Sequence, residues 1–198
     1  MRYDLSVVAP CYNEARNLNE LVLRLERVFG KKQIRGEIVL VNDGSRDETG
    51  RIMDELAASH EAVAAVHHPE NRGIAEAWTT GVGRSRGEYV CLIDADLQYL
   101  PEDVWRLYRE IQLTHADLIQ GHRSSIGRLR NSRYILSKGL NGLLNTLFGM
   151  SLKDNKSGFV LALRETLEDV LGHRFQYNYF QTFITVSARS KGYSIREV

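Results

Sequence analysis

The segment Tyr89-Val90-Cys91-Leu92-Ile93-Asp94-Ala95-Asp96-Leu97-Gln98 decides how this chain is read. A wholly apolar run delivers two carboxylates, one residue apart, to its own C-terminal end. Buried strands of α/β sheets take this near-continuous apolar form. Ligands of open α/β sheets bind outside the carboxyl ends of the strands. Two acids emerging there repel each other and lose hydration, so a compensating group is required. A divalent cation with oxygen ligands supplies it most simply, and Mg²⁺ or Mn²⁺ commonly bridges one or two carboxylates to substrate phosphates. The alternative is an Asp pair that caps the following helix.

The alternation continues outward from this strand. Leu5 to Ala9 is a short apolar run ending at Pro10, and it predicts a first buried strand. Residues 17–29 place Leu18, Leu21, Val22, Leu25 and Val28 at helical spacing. Glu37 to Val41 predicts a second strand, closed by Asn42-Asp43-Gly44-Ser45 with turn and N-cap chemistry. A helix over Thr49 to Ala58 and a weaker strand over Ala62 to His67 follow. Ile74 to Gly81 opens a helix after Asn71-Arg72-Gly73, and Glu88 to Ile93 is the fourth strand. Pro101-Glu102-Asp103 reads as a helix first turn. That helix runs to about Gln112, and Asp117 to Gln120 is a fifth strand. Such alternation predicts an α/β fold, a mostly parallel central sheet with helices on both faces. Neither GxGxxG nor GxxxxGK[ST] follows the first strand, which argues against a dinucleotide domain and a P-loop enzyme.

Bulk properties narrow the class. At 198 residues the chain fits one domain over 1–198 with a sizeable core. Its 43% hydrophobic and 26% charged residues are ordinary for a soluble protein, and a net charge of +1 argues against general nucleic-acid binding. Cys11 and Cys91 lie in strand-like contexts without metal-ligand spacing, as buried free thiols of a reducing compartment do. The start shows no signal-peptide layout, and no window approaches about 18 consecutive apolar residues.

The second half differs. Between Asp117 and Asp154 there is no acidic residue, while Arg123, Arg128, Arg130, Arg133, Lys138 and Lys153 accumulate. Leu136, Leu140, Leu143, Leu144, Leu147 and Phe148 follow at mostly three- and four-residue steps. A basic segment running into an amphipathic helix is the layout of a membrane-surface element. A core-facing helix with a solvated basic loop fits the same pattern. A helix around Phe180 to Arg189 and a strand over Tyr193 to Val198 end the sequence, which leaves room for the natural chain to continue.

Several segments together resemble the family 2 glycosyltransferases of GT-A fold, above all the branch of dolichyl- and undecaprenyl-phosphate sugar transferases. They are Leu5-Ser6-Val7-Val8-Ala9-Pro10-Cys11-Tyr12-Asn13-Glu14, Val41-Asn42-Asp43-Gly44-Ser45-Arg46-Asp47, Asn71-Arg72-Gly73-Ile74-Ala75, and Gly87-Glu88-Tyr89-Val90. Asp94-Ala95-Asp96-Leu97-Gln98, Gly121-His122-Arg123 and Ser157-Gly158-Phe159 continue the series in the family's order. The resemblance implies a nucleotide-diphosphate sugar, UDP- or GDP-linked, lying across the ends of the first strands. Pro10, Tyr12 and Glu14 would line its pocket, Asp43 and Arg72 would contact base or ribose, and Asp94 and Ala95 would complete the donor side. Turn capping by Asp43 and helix initiation by Glu14 are the plainer readings of those two residues. Asp94, Asp96 and Gln98 fall on the family's metal motif for Mg²⁺ or Mn²⁺, with the second acid the firmer ligand. Asn42 and Gln181 stand where relatives usually carry acids.

The acceptor decides whether a base is needed. A sugar hydroxyl must lose a proton as it attacks. A lipid phosphate, with a second pKa of about 6, is already anionic and needs a cationic holder instead. Arg123, Arg133 and Ser137 match the branch's acceptor-phosphate residues, and Arg128 and Arg130 would add attraction; a solvated basic loop would account for any one of these arginines. Asp154 matches the acid before the family's Ser-Gly-Phe piece, placed to serve as base, orient the acceptor or pair with an arginine; Asp96, Asp154 and Arg123 are the expected catalytic residues. The leading expectation is an inverting, metal-dependent transferase to a polyprenyl phosphate, cytoplasmic and at the inner face of the membrane, with a homodimer left open. Transfer to a saccharide hydroxyl in glycan synthesis is the second reading. An inactive nucleotide-binding scaffold is the third.

Overall fold

In a computed structural model that describes residues 3–122, 132–154, 157–172 and 180–198, the alternation resolves into one seven-stranded sheet. The strands are β1 (Tyr3–Cys11), β2 (Gly36–Asp43), β3 (Val63–His68), β4 (Gly87–Leu92), β5 (Leu118–Gln120), β6 (Val160–Leu163) and β7 (Ile195–Glu197). The helices are α1 (Leu18–Lys32), α2 (Thr49–Ser59), α3 (Ile74–Arg84), α4 (Asp103–Thr114), α5 (Ser132–Phe148), α6 (Arg164–Leu171) and α7 (Phe180–Ser190). The strand order is β3-β2-β1-β4-β6-β5-β7. All neighbours pair in parallel except β6, which runs antiparallel to both β4 and β5.

The apolar strands are explained by cover on both faces. Along β1, Leu5, Val7, Ala9 and Cys11 join a core with α1, α2 and α4, while Val8 faces a second core with α3, α6 and α7. The same alternation splits Cys91 and Ile93 from Val90 and Leu92. A strand sandwiched in this way has no solvent face on which to place polar residues.

Two departures from the expected elements concern the second half and the first strand. The helix–strand reading passed over β6 and α6. Val160-Leu161-Ala162-Leu163 is only four residues long, and it enters α6 at once through Leu163, with no turn residue between them. β1 runs past Pro10 to Cys11. Its ladder with β4 stops at Val8, so one flank of the strand is free where Pro10 lacks its N–H.

The N-terminal end of the sheet is held by a buried carboxylate. Glu37 is 1% exposed and accepts Ser6 Oγ at 2.6 Å, the Arg86 amide at 2.5 Å and Arg86 Nε at 2.9 Å. The expected amphipathic helix is α5, on which Leu140, Leu143 and Leu147 are exposed. Among the described residues no helix is long and apolar enough to cross a membrane.

Candidate active site

Successive strands are added on one side of β1 through β2 and β3, and β4 then returns to its other side. Ligand crevices of open α/β sheets form at such a reversal. Four segments converge there: Pro10 to Glu14 after β1, Asp43 at the end of β2, Asn71 to Ile74 after β3, and Asp94 to Gln98 after β4. They line a cleft of about 420 Å³.

The first wall is fixed by hydrogen bonds between loops distant in sequence. Asn13 adopts φ of 58°, a left-handed conformation that asparagine tolerates. Its amide donates to Ser45 Oγ at 3.0 Å, and its Oδ1 accepts the Arg46 amide at 2.9 Å. The Glu14 amide donates to Thr49 Oγ1 at 2.8 Å. The Glu14 carboxylate lines the cleft and also accepts Asn17 Nδ2 at 2.6 Å at the start of α1. Its helix-start contact and its place on the cleft wall are thus compatible. Asp47 steadies the same corner, held below the ordinary carboxylate range by the Thr49 hydroxyl and then by the Thr49 and Ala15 amides. Tyr12, 44% exposed, stands at the mouth of the cleft.

The floor is Asp43, whose buried carboxylate is surrounded by donors. Its Oδ1 accepts the Arg72 amide at 2.9 Å and His68 Nδ1 at 2.8 Å, and its Oδ2 accepts the Gly73 amide at 2.9 Å. Gly44 follows at φ of 68°, and a Cβ there would lie 2.3 Å from the Glu70 carbonyl carbon. The glycine thus permits both the turn and the close approach of the segment after β3. Asn42 is also explained. Its Oδ1 accepts the Ser45 amide at 2.9 Å and its Nδ2 bonds His67 Nδ1 at 3.1 Å, while His67 Nε2 reaches Asp54 Oδ1 at 3.0 Å. With the His67 tautomer that donates Nε2–H to Asp54, Nδ1 accepts, and the Asn42 amide supplies the matching donor.

The remaining wall carries the acids. Asp96 Oδ1 accepts the Gln98 amide at 3.0 Å, closing a turn in which Leu97 has φ of 61°. A leucine in that conformation costs about 1 kcal/mol or more, a strain typical of functional turns. The Leu97 side chain packs against the core and anchors the turn. The capping alternative does not hold, because α4 begins at Asp103 with Glu102 as its N-cap residue. Asp94, Asp96 and Gln98 face one cleft with hard oxygen donors only. No group of three His, Cys, Asp or Glu side chains suited to a metal exists among the described residues. Two carboxylates, with further oxygens left to water and substrate, fit the requirements of Mg²⁺ or Mn²⁺.

Of the expected donor residues, Pro10, Tyr12, Glu14, Asp43, Asp94, Ala95, Asp96 and Gln98 line the cleft together. Arg72 is not among the lining residues: its amide serves Asp43, and its guanidinium pairs with Glu76 at 3.7 Å, one helical turn away. Asp154 is not on the cleft wall either, and its amide donates to Glu197 Oε1 at 2.9 Å. Arg123, Arg128 and Arg130 lie outside the described residues, as do the side chains of Arg133, Ser137 and Gln181. His122 is turned to the chain's end, its Nδ1 2.9 Å from the Val198 carbonyl oxygen.

Two residues beside the site carried no assigned role in the sequence. Tyr99 OH lies 2.8 Å from Ser157 Oγ, which also donates to the Gly121 carbonyl and accepts the Phe159 amide at 3.2 Å. This buried knot ties the turn bearing Asp96 to the end of β5 and the entry to β6. Its partners are 58 residues apart, and only the recurrence of Ser157 inside a motif pointed to it.

Comparison with known proteins identifies the family and the fold. The model of the family described as Glycosyl transferase family 2 matches residues 6–175. The chain belongs to that family. Among curated family 2 relatives, the chain is 34% identical over 202 residues to the polyprenol monophosphomannose synthase of Mycolicibacterium smegmatis, covering 97% of this chain and 74% of the relative. It is 31% identical over 189 residues to the undecaprenyl-phosphate 4-deoxy-4-formamido-L-arabinose transferase of Pseudomonas fluorescens, covering 94% of this chain and 53% of that protein. A solved mannosyltransferase from Pyrobaculum calidifontis, in complex with GDP-Man and Mn²⁺, superposes with a TM-score of 0.73 at 19% identity. That match covers 100% of this chain and 55% of the other, and it shows the shared GT-A fold. The chain thus spans only about half the length of two of these three proteins.

Proposed function

We propose that residues 1–198 act as one catalytic domain that transfers a sugar, with inversion, from a nucleotide-diphosphate donor to a polyprenyl phosphate. The observation that carries this reading is the convergence of Asp94 and Asp96 with Pro10, Tyr12, Glu14 and Asp43 on one cleft at the sheet's reversal point. The mannosyltransferase of similar fold is a complex with GDP-Man and Mn²⁺, and the curated relatives are named for polyprenol and undecaprenyl phosphate.

In this reading an acceptor phosphate oxygen forms the new bond to the sugar's anomeric carbon from the face opposite the donor. The bond from that carbon to the β-phosphate oxygen breaks, and the nucleoside diphosphate leaves. Tyr12, Pro10 and Glu14 hold the nucleotide along the first wall. Asp43 receives three protein donors and keeps acceptor capacity on Oδ2 for the base or ribose. Asp96, fixed by the Gln98 amide, and Asp94 would hold the divalent cation. When bound, that Mg²⁺ or Mn²⁺ neutralises charge developing on the leaving pyrophosphate. An already ionised acceptor needs no strong base, and Arg123, Arg133 and Ser137 are assigned to hold it, with Asp154 orienting that side.

The acid-free stretch between Asp117 and Asp154 and the exposed Leu140, Leu143 and Leu147 of α5 suit an anionic membrane surface, where a polyprenyl acceptor resides. In this reading the domain works at the cytoplasmic face of the membrane. The test is a release assay with UDP- and GDP-sugars and Mn²⁺ or Mg²⁺, run with and without polyprenyl phosphate. Nucleoside diphosphate release should rise with the lipid and stop in EDTA. Turnover that survives EDTA refutes the metal role, and release raised by a free saccharide but not by lipid phosphate refutes the acceptor. Arg133→Ala should weaken lipid use while sparing slow donor hydrolysis.

A further inference from the structure

His68 is a buried histidine that the chemistry above does not use, and it sits directly beneath the donor cleft. It is 6% exposed at the end of β3, in register with Asp43 at the end of β2. Its Nδ1 lies 2.8 Å from Asp43 Oδ1, and its Nε2 lies 2.9 Å from Thr80 Oγ1 on α3. A carboxylate only accepts, so Nδ1 carries the hydrogen and donates to Asp43. His68 therefore links α3, β3 and β2 through one imidazole ring. The same Asp43 carboxylate holds the Arg72 and Gly73 amides, and Asn71, Gly73 and Ile74 line the cleft. Gly44 leaves no slack beneath them, since the Asn71 nitrogen would lie 2.4 Å from a Cβ at that position.

We propose that His68 is a positioning residue for nucleotide recognition, acting through Asp43 to fix the carboxylate and the Asn71–Gly73 segment against the donor. The proposal rests on the donor cleft assigned above. Without the imidazole, Asp43 loses its only side-chain donor among the described residues, and the Arg72 and Gly73 amides hold the carboxylate alone. The effect should fall on binding, which ground state and transition state share, so KM for the donor rises while kcat holds.

The test uses the full chain with UDP and GDP, each titrated by calorimetry with Mn²⁺, together with steady-state transfer. His68→Leu should weaken the bound nucleotide and raise donor KM about tenfold, with kcat within about twofold. His68→Asn, whose amide can occupy the Nδ1 position, should recover most of that loss. Thr80→Val, which removes only the hydroxyl behind Nε2, should give an intermediate value. A His68→Leu protein that melts earlier yet binds nucleotide as tightly as wild type shows a merely structural role and overturns the proposal. Equal failure of His68→Asn and His68→Leu overturns it as well. Wild-type protein that binds neither nucleotide overturns the donor cleft itself, and is distinguished by being independent of position 68.

Discussion

Asp96→Asn separates the charge of the acidic turn from its shape. The asparagine oxygen can still accept the Gln98 amide, 3.0 Å away in the native turn, so Leu97 keeps its left-handed conformation and its seat on the core. What disappears, in the proposed mechanism, is one of the two negative charges that would hold the divalent cation opposite the leaving pyrophosphate. Two unit charges about 4 Å apart interact by about 4 kcal/mol at an effective dielectric of about 20. If that interaction is realised in the transition state, its loss lowers turnover by about a thousandfold. The assay is nucleoside diphosphate release at saturating donor and Mn²⁺, paired with thermal unfolding of the same preparation. The melting temperature should stay within about 2 °C, because no apolar surface and no backbone partner is lost. Asp96→Ala should lose the same activity and melt lower still, since it also opens the turn. Asp96→Asn turnover within about tenfold of wild type, at unchanged melting temperature, would refute the reasoning and move the charge requirement to Asp94.

Other perturbations probe separate parts of the molecule. Glu37→Ala should cost about 3 kcal/mol in urea unfolding, because it orphans the Ser6 hydroxyl and the Arg86 amide and empties a buried site. The folded fraction should keep its donor KM, since Glu37 lies at the end of the sheet away from the cleft. Gly44→Ala should lower stability and raise donor KM together: its φ of 68° and a 2.3 Å contact with the Glu70 carbonyl carbon force the segment after β3 outward. Glu102 is held below its ordinary 4.5 by the hydrogen bond from Arg24, 2.8 Å at Nε, which joins α1 to the start of α4. The stability from that pair is present above pH 4.5 and is lost as pH falls through the depressed folded value. Glu102 is half-exposed, so Arg24→Ala should cost only about 0.5 kcal/mol at pH 7, and melting curves of variant and wild type should converge once pH has fallen below the depressed folded value.

The parts of the fold legible in the sequence are those where one physical cause acts locally. Strands β1, β2 and β4 announce themselves because helices cover both faces, and the acids of Asp94-Ala95-Asp96 stand out because they end such a run. β6 does not announce itself, since four apolar residues running straight into α6 read equally well as part of a helix. Its antiparallel place between β4 and β5 is set by pairing with strands distant in sequence, which no local pattern encodes. The same distinction divides the site. Tyr12, Glu14, Asp43 and Asp96 are found by their position after a strand, whereas His68 and Tyr99 matter through partners 25 and 58 residues away. Arg72 is the converse case. Its motif position marked it for the base or ribose side; its guanidinium pairs with Glu76 one turn along α3, and its peptide N–H holds the Asp43 carboxylate. A motif thus marks where the backbone must pass. Which atom of the residue serves the ligand is settled by competition among neighbours, and here the two acidic turns, Asp43 and Asp96, both use backbone amides to aim a carboxylate.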